Sequence, residues 1–120
     1  WKWTAPHPPV NAVRLPNGHT LVSLRGDRLV EVNAEGKIVW QVTQKDLAKP
    51  YLYALSTFQV MANGNLVFAS ANPDAKISRL VELTRDKKLV WSAVQQIRHR
   101  PTQFQILTTN GRPIPGPALR

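Results

Sequence analysis

A chain of 120 residues that is 42% hydrophobic is one domain by length and can bury roughly two thirds of its unfolded surface, which excludes a disordered chain. Sixteen basic residues against seven acidic ones give a formal charge of +9, which favours an anionic partner, although the charges are dispersed along the chain. The absence of cysteine excludes disulfides, a thiol nucleophile and cysteine-held metal, and the apolar runs are far too short to span a membrane.

In chain order, residues 1–4 read as a strand remnant, with Trp1 and Trp3 flanking Lys2. Residues 5–9 (APHPP) read as an extended linker, because proline resists both helix and sheet pairing. A first strand is predicted over residues 10–15. A tight turn at Pro16-Asn17-Gly18-His19 follows, where Asn-Gly supplies positive φ angles, and residues 20–24 return. Arg25-Gly26-Asp27 reads as a second turn rather than an adhesion tripeptide. Residues 28–32 form a third strand, 33–36 a third turn, and 37–42 a fourth strand carrying Trp40. Residues 43–54 read as a loop with one helical turn. The pattern then restarts: strand 56–61, turn Ala62-Asn63-Gly64, strand 65–69, a longer loop over 71–75, strand 78–83, and strand 88–93 carrying Trp91. Residues 94–100 link onward, 102–107 resemble a first strand once more, and RPIPGPALR at the end is not expected to continue a regular sheet.

The spacing makes this a repeat. Asn17 and Asn63 are 46 apart (63 − 17), as are Phe58 and Phe104 (104 − 58). Trp40 and Trp91 are 51 apart (91 − 40), the surplus falling in the longer second loop. Four short strands per repeat of this length, with tight up-and-down turns, predict β-propeller blades in preference to a sandwich or barrel. The expected organisation is all-β: a first blade over 10–42, a second over 56–93, the start of a third at 102–107, and a tail at 108–120. That is about two and a half blades, incomplete as a single chain. Completion is expected either from a larger propeller or from copies assembling head to tail, with residues 1–4 of one chain completing a blade begun by 102–107 of another.

The stretches LPNGHTLV and LVEVNAEGKIVW, followed by ANGNLVF and LVELTRDKKLVW, resemble the quinoprotein-like propeller repeats, in particular the arylsulfotransferase-type form. The match runs from Val10 to about Leu107. The resemblance implies that Trp40 and Trp91 dock between blades, where a tryptophan buries a large area and one N–H. It also implies a periplasmic or secreted location and, in the sulfotransferase form, a catalytic histidine that no motif places on His7, His19 or His99. Against the quinoprotein motif, Glu31 and Glu82 stand where alanine is usual, Asn33 and Thr84 replace the aspartate, and Lys87 takes the glycine position held by Gly36 in the first blade. No acidic cluster suits the calcium of a quinone site, so no cofactor and no metal are expected.

No histidine pair has metal-ligand spacing. Arg98-His99-Arg100, in an inter-blade link, is the candidate binding site, suited to a sulfate, phosphate or carboxylate through charge-assisted bonds. Nucleic acid is not an expected partner, since Lys2 between Trp1 and Trp3 is the one place where basic and aromatic residues interleave. The expected function is a non-catalytic ligand- or protein-binding propeller module. The alternative is a portion of a propeller enzyme whose catalytic residues lie elsewhere.

Overall fold

The computed structural model describes residues 2–26, 28–49, 52–72, 74–96, 104–109 and 112–113. These form two four-stranded antiparallel sheets and almost no helix. The first sheet contains β1 (Pro9–Arg14), β2 (Thr20–Leu24), β3 (Arg28–Val32) and β4 (Ile38–Thr43), in that spatial order. The second contains β5 (Ala54–Val60), β6 (Leu66–Asn72), β7 (Ile77–Leu83) and β8 (Leu89–Gln96), again in sequence order. A two-residue ladder joins β9 (Thr108–Thr109) to β10 (Arg112–Pro113).

The hairpin turns differ from the sequence expectation in one respect. Positive φ falls on the glycine alone, at 82° for Gly18 and 83° for Gly64. Gly18 N–H donates to Leu15 and Gly64 N–H to Met61, closing a four-residue turn before the glycine reopens the ladder. Asn17 and Asn63 act through their side chains instead: each Oδ1 accepts the N–H two residues on, at 3.0 Å. This is the local bond that makes asparagine a turn residue. Other boundaries move as well. Of the segment expected as a strand at 102–107, the described residues 104–107 pair in no strand, and Ala71 and Asn72, expected in a loop, extend β6. Residues 2–8 pair in no strand, although Trp3 and Ala5 pack on the first sheet. Residues 94–96, expected as a link, extend β8. Arg112–Pro113 pairs where no regular sheet is expected. The helical turn in the connection between sheets is a 3-10 turn at Gln44–Asp46, with Asp46 accepting from the Thr43 N–H at 2.8 Å.

The alternation along the strands divides the core into two layers. On one face of the first sheet, Val22, Leu24, Val30 and Val32 form a small cluster covered by Trp3 and Ala5. On its other face, Leu21, Leu29 and Val42 meet Leu55, Phe58, Leu66, Phe68, Val81 and Leu83 of the second sheet, joined by Leu52 from the connecting segment. The main core is therefore the seam between the two sheets, and neither sheet can bury that face alone. The central strands are the buried ones: every residue of β2 is buried, while every residue of β8 is exposed.

Phe68 is fully buried in this seam. Phe68→Ala is expected to cost about 3–5 kcal/mol, the usual penalty for an aromatic cavity. Because Phe68 serves both sheets, the loss should appear as one shifted urea transition, seen alike by circular dichroism and tryptophan fluorescence.

Candidate functional site

The two sheets meet at a polar group as well as an apolar one. An irregularity in the β3–β4 pairing sets Glu31 opposite Trp40 and Val32 opposite Ile38, so that one extra residue, Val39, bulges from β4. Directly opposed residues share a face, and the bulge thereby places the carboxylate and the indole side by side toward the second sheet. Arg85, in the turn between β7 and β8, reaches back across the seam. Its guanidinium lies 4.3 Å from the centre of the Trp40 ring, and Nη2 pairs with Glu31 Oε2. Trp40 Nε1 donates to the carbonyl of Arg85 at 2.9 Å. One arginine thus supplies a cation to the ring face, a donor to the acid and an acceptor to the indole.

Glu31 is 4% exposed, and a carboxylate so placed requires donors. His19 Nδ1 lies 2.6 Å from Oε1 and Asn17 Nδ2 3.4 Å from the same oxygen. Burial pushes the Glu31 carboxyl up, but the bonds from His19 and Arg85, the Arg85 charge and the Asn17 amide outweigh it, leaving the group below its ordinary range. Residues of the first hairpin turn therefore also serve an inter-sheet acid. The chain separation of 54 residues between Arg85 and Glu31 hid this group from motif reading; the paired position of Glu31 and Glu82 before the tryptophans was the available signal. A second tie lies nearby, where Lys87 Nζ meets Asp46 Oδ1 at 2.7 Å. Lys87, at the glycine position of its turn, adopts φ 64°, matching Gly36 at 78°.

The second sheet repeats the construction without the arginine. The same irregularity sets Glu82 opposite Trp91. Asn65 Nδ2, in the place of His19, donates to Glu82 Oε1 at 2.7 Å, and Trp91 Nε1 donates to Glu82 Oε2. Trp91, expected to dock between blades, is 37% exposed. Trp40 lies half-buried at the seam. Arg98, His99 and Arg100 lie outside the described residues. His7 is exposed. Among the described residues, no three histidine or carboxylate side chains gather as a metal site, and no helix is long and apolar enough to cross a membrane.

Two further contacts run from β1 to β5 and from β5 to residues 104–106. Asn11 Nδ2 donates to Thr57 Oγ1, 46 residues on, at 3.3 Å. Gln59 holds Ile106, 47 residues on, by two bonds: its Oε1 accepts from the Ile106 N–H at 2.8 Å and its Nε2 donates to the Ile106 carbonyl at 3.3 Å.

The class these features define is an all-β protein of two four-stranded antiparallel sheets that share one apolar seam. No protein-family model matches the chain, and no curated protein matches it. Among solved structures, the chain is similar to a protein of unknown function from Bacteroides caccae, with a TM-score of 0.64 and 24% sequence identity. That likeness covers 78% of this chain and 37% of the neighbour's, so it concerns the fold alone, over a little more than a third of the other molecule.

The acid limb of the stability curve tests the junction. A carboxyl whose folded pKa is lowered stabilises the fold above its unfolded pKa and loses that contribution as pH falls through the folded value. Melting temperature should therefore drop as pH falls below the ordinary carboxylate range, and Glu31→Gln should flatten that drop. At neutral pH the same substitution should cost about 2 kcal/mol, since the bonds lost are to a charged group.

Proposed function

We propose that the protein is a non-catalytic binding or scaffold module of the β-propeller class, in which these sheets are consecutive blades of a larger stack. The observation that carries this reading is the series of contacts along the first strands. β1 meets β5 through Asn11 and Thr57, and β5 meets residues 104–106 through Gln59 and Ile106, at successive steps of the repeat. A propeller sets the first strand of each blade beside the next around an axis. A two-sheet sandwich has no reason to repeat such a contact a second time.

In this reading the loops joining one sheet to the next carry the ligand, and the basic run Arg98-His99-Arg100 between the second sheet and residues 104–107 takes a small oxyanion by charge-assisted hydrogen bonds. The resemblance to arylsulfotransferase-type repeats then reflects shared architecture without shared chemistry. A periplasmic or secreted setting belongs to the same proposal.

Both halves are tested with one compound. An aryl sulfate titrated into the isotope-labelled chain should shift the backbone resonances of Arg98, His99 and Arg100, with a dissociation constant in the millimolar range or tighter, and should be recovered intact. Replacing the three residues together by alanine should abolish the shifts. Release of the free phenol would instead make the chain catalytic and overturn the module reading; unchanged resonances at residues 98–100 would remove the oxyanion from it.

A further inference from the structure

Charges that lie dispersed in the sequence are sorted by the fold. In an antiparallel meander every second turn returns to the same end of the sheet. The β2–β3 turn and the β6–β7 turn therefore lie at one end, where the connection from β4 to β5 joins the two sheets. That end, with the strand residues beside it, carries Arg25, Arg28, Lys45, Lys49, Lys76 and Arg79. Its acids among the described residues are Asp46 and Asp74, and Asp46 is already taken by Lys87. The turns at the opposite end set four acids, Glu31, Glu35, Glu82 and Asp86, against five cations, which is close to balance. Along the chain the two sets alternate, so the excess at one end never shows as a run.

Among the described residues none of these six cations forms an ion pair. Arg28 and Arg79 are half-buried, and Arg28 Nε is buried with no hydrogen-bond partner among the described residues. A guanidinium withdrawn from water in this way lacks the anion that would offset its desolvation. Lys76 is exposed and holds φ 50°, a left-handed conformation that few side chains adopt. Lys45 and Lys49 stand on a braced connection. The Gln44 side chain donates to the Lys49 carbonyl at 2.7 Å and accepts the Leu52 N–H at 2.9 Å. The backbone that carries the charges is thus ordered in advance, which lowers the cost of binding. We propose that this end of the two sheets binds a sulfated polysaccharide, whose successive sulfate esters pair with these cations. The inference goes beyond the small-oxyanion reading above and uses none of its three residues.

Extent and composition select this partner. Arg25, Arg28 and Lys45 belong to the first sheet and its end, Lys76 and Arg79 to the second, and Lys49 to the connection. Packed sheets stand about 10 Å apart, so one small anion cannot meet both sets, whereas a polymer that repeats its anions can. Arginine's planar fork suits an oxyanion with several acceptor oxygens. A nucleic-acid strand would add base stacking on aromatic side chains. The one exposed aromatic among the described residues is Trp91, paired across from Glu82 toward the opposite end, so this end offers no stacking platform. A sugar chain bearing sulfate esters asks for fixed charge and hydrogen-bond donors alone, which is what the surface presents.

The test titrates the chain with a fully sulfated heparin octasaccharide by calorimetry at about 0.1 M salt, where long-range attraction is screened beyond about 10 Å. Binding in the micromolar range is expected. Arg25→Gln, Lys49→Gln and Lys76→Gln together should weaken it by about 30-fold or more and lower the salt slope by about one per cation removed. All three residues are exposed, so the fold should survive, as circular dichroism will show. Arg14→Gln, Lys37→Gln and Lys88→Gln remove the same charge from the opposite end and should weaken binding by less than about 3-fold. Equal losses in the two triple variants reduce the effect to net charge and overturn the proposal. So does an unsubstituted chain that fails to bind at millimolar octasaccharide. Equal affinity for the desulfated octasaccharide overturns it by removing the sulfate esters as the recognised group. Tighter binding of single-stranded DNA of matched charge overturns it by giving the surface to nucleic acid. Alanine at residues 98, 99 and 100 together should leave octasaccharide affinity within about tenfold; complete loss would assign the polymer to that run and overturn the proposal. The aryl sulfate titration reads residues 98–100 alone, so either proposal can fail while the other stands.

Discussion

The structure depends on a buried carboxylate that its own sheet cannot satisfy. Glu31 faces out of the first sheet into the seam, and two of its donors, His19 and Asn17, come from its own hairpin turn. The donor with full positive charge comes from Arg85 of the second sheet. An ionised group in that position is costly unless paired and tolerable once paired. The consequence is selectivity in docking: an apolar seam of leucine, valine and phenylalanine could slide, whereas an acid that demands a guanidinium at one place admits one arrangement. The hydrophobic contacts around Phe68 supply most of the attraction, and the Glu31–Arg85–Trp40 group specifies where it acts.

That division of labour explains why the bulge before each tryptophan recurs in both sheets. Without the extra residue, the indole and the acid would fall on opposite faces, since side chains alternate along a strand. In the first sheet the bulge allows β4 to keep an exposed outer edge while turning Trp40 toward the seam; in β8 the same irregularity leaves Trp91 exposed. An edge strand that carries such an irregularity is also a poorer template for unwanted pairing. The same local device therefore helps join one sheet to the next and guards the outer rim.

Much of the architecture was legible in the sequence because its signals are local. The Asn-Gly turns, the alternating strands and the 46-residue interval mark eight strands, and the structure has those eight in two antiparallel sheets. What was less legible depends on residues distant in the chain. His19 reads as a surface turn residue until β3 brings Glu31 beneath it, 12 positions away. Arg85 reads as one more solvated cation until the second sheet folds back on the first. The Asn17-Gly18 turn differs in detail: the positive φ falls on the glycine, and the Asn17 amide oxygen serves as an acceptor. The Trp40 position follows from the bulge, whereas the exposure of Trp91 follows from what lies, or does not lie, on the far face of the second sheet.

The terminal amide of Gln59 offers one acceptor and one donor to the backbone of Ile106, the same pair of groups that a peptide unit offers across a ladder. A side chain is thus standing in for a strand neighbour. The segment at residues 104–106 is positioned beside β5 at one residue, locally, and its place does not have to be measured out by the length of the intervening chain. The loops between are released from any metrical duty. They can lengthen, as the interval of 51 between the tryptophans against 46 between the asparagines records, and sequence can drift there while Gln59 still holds Ile106.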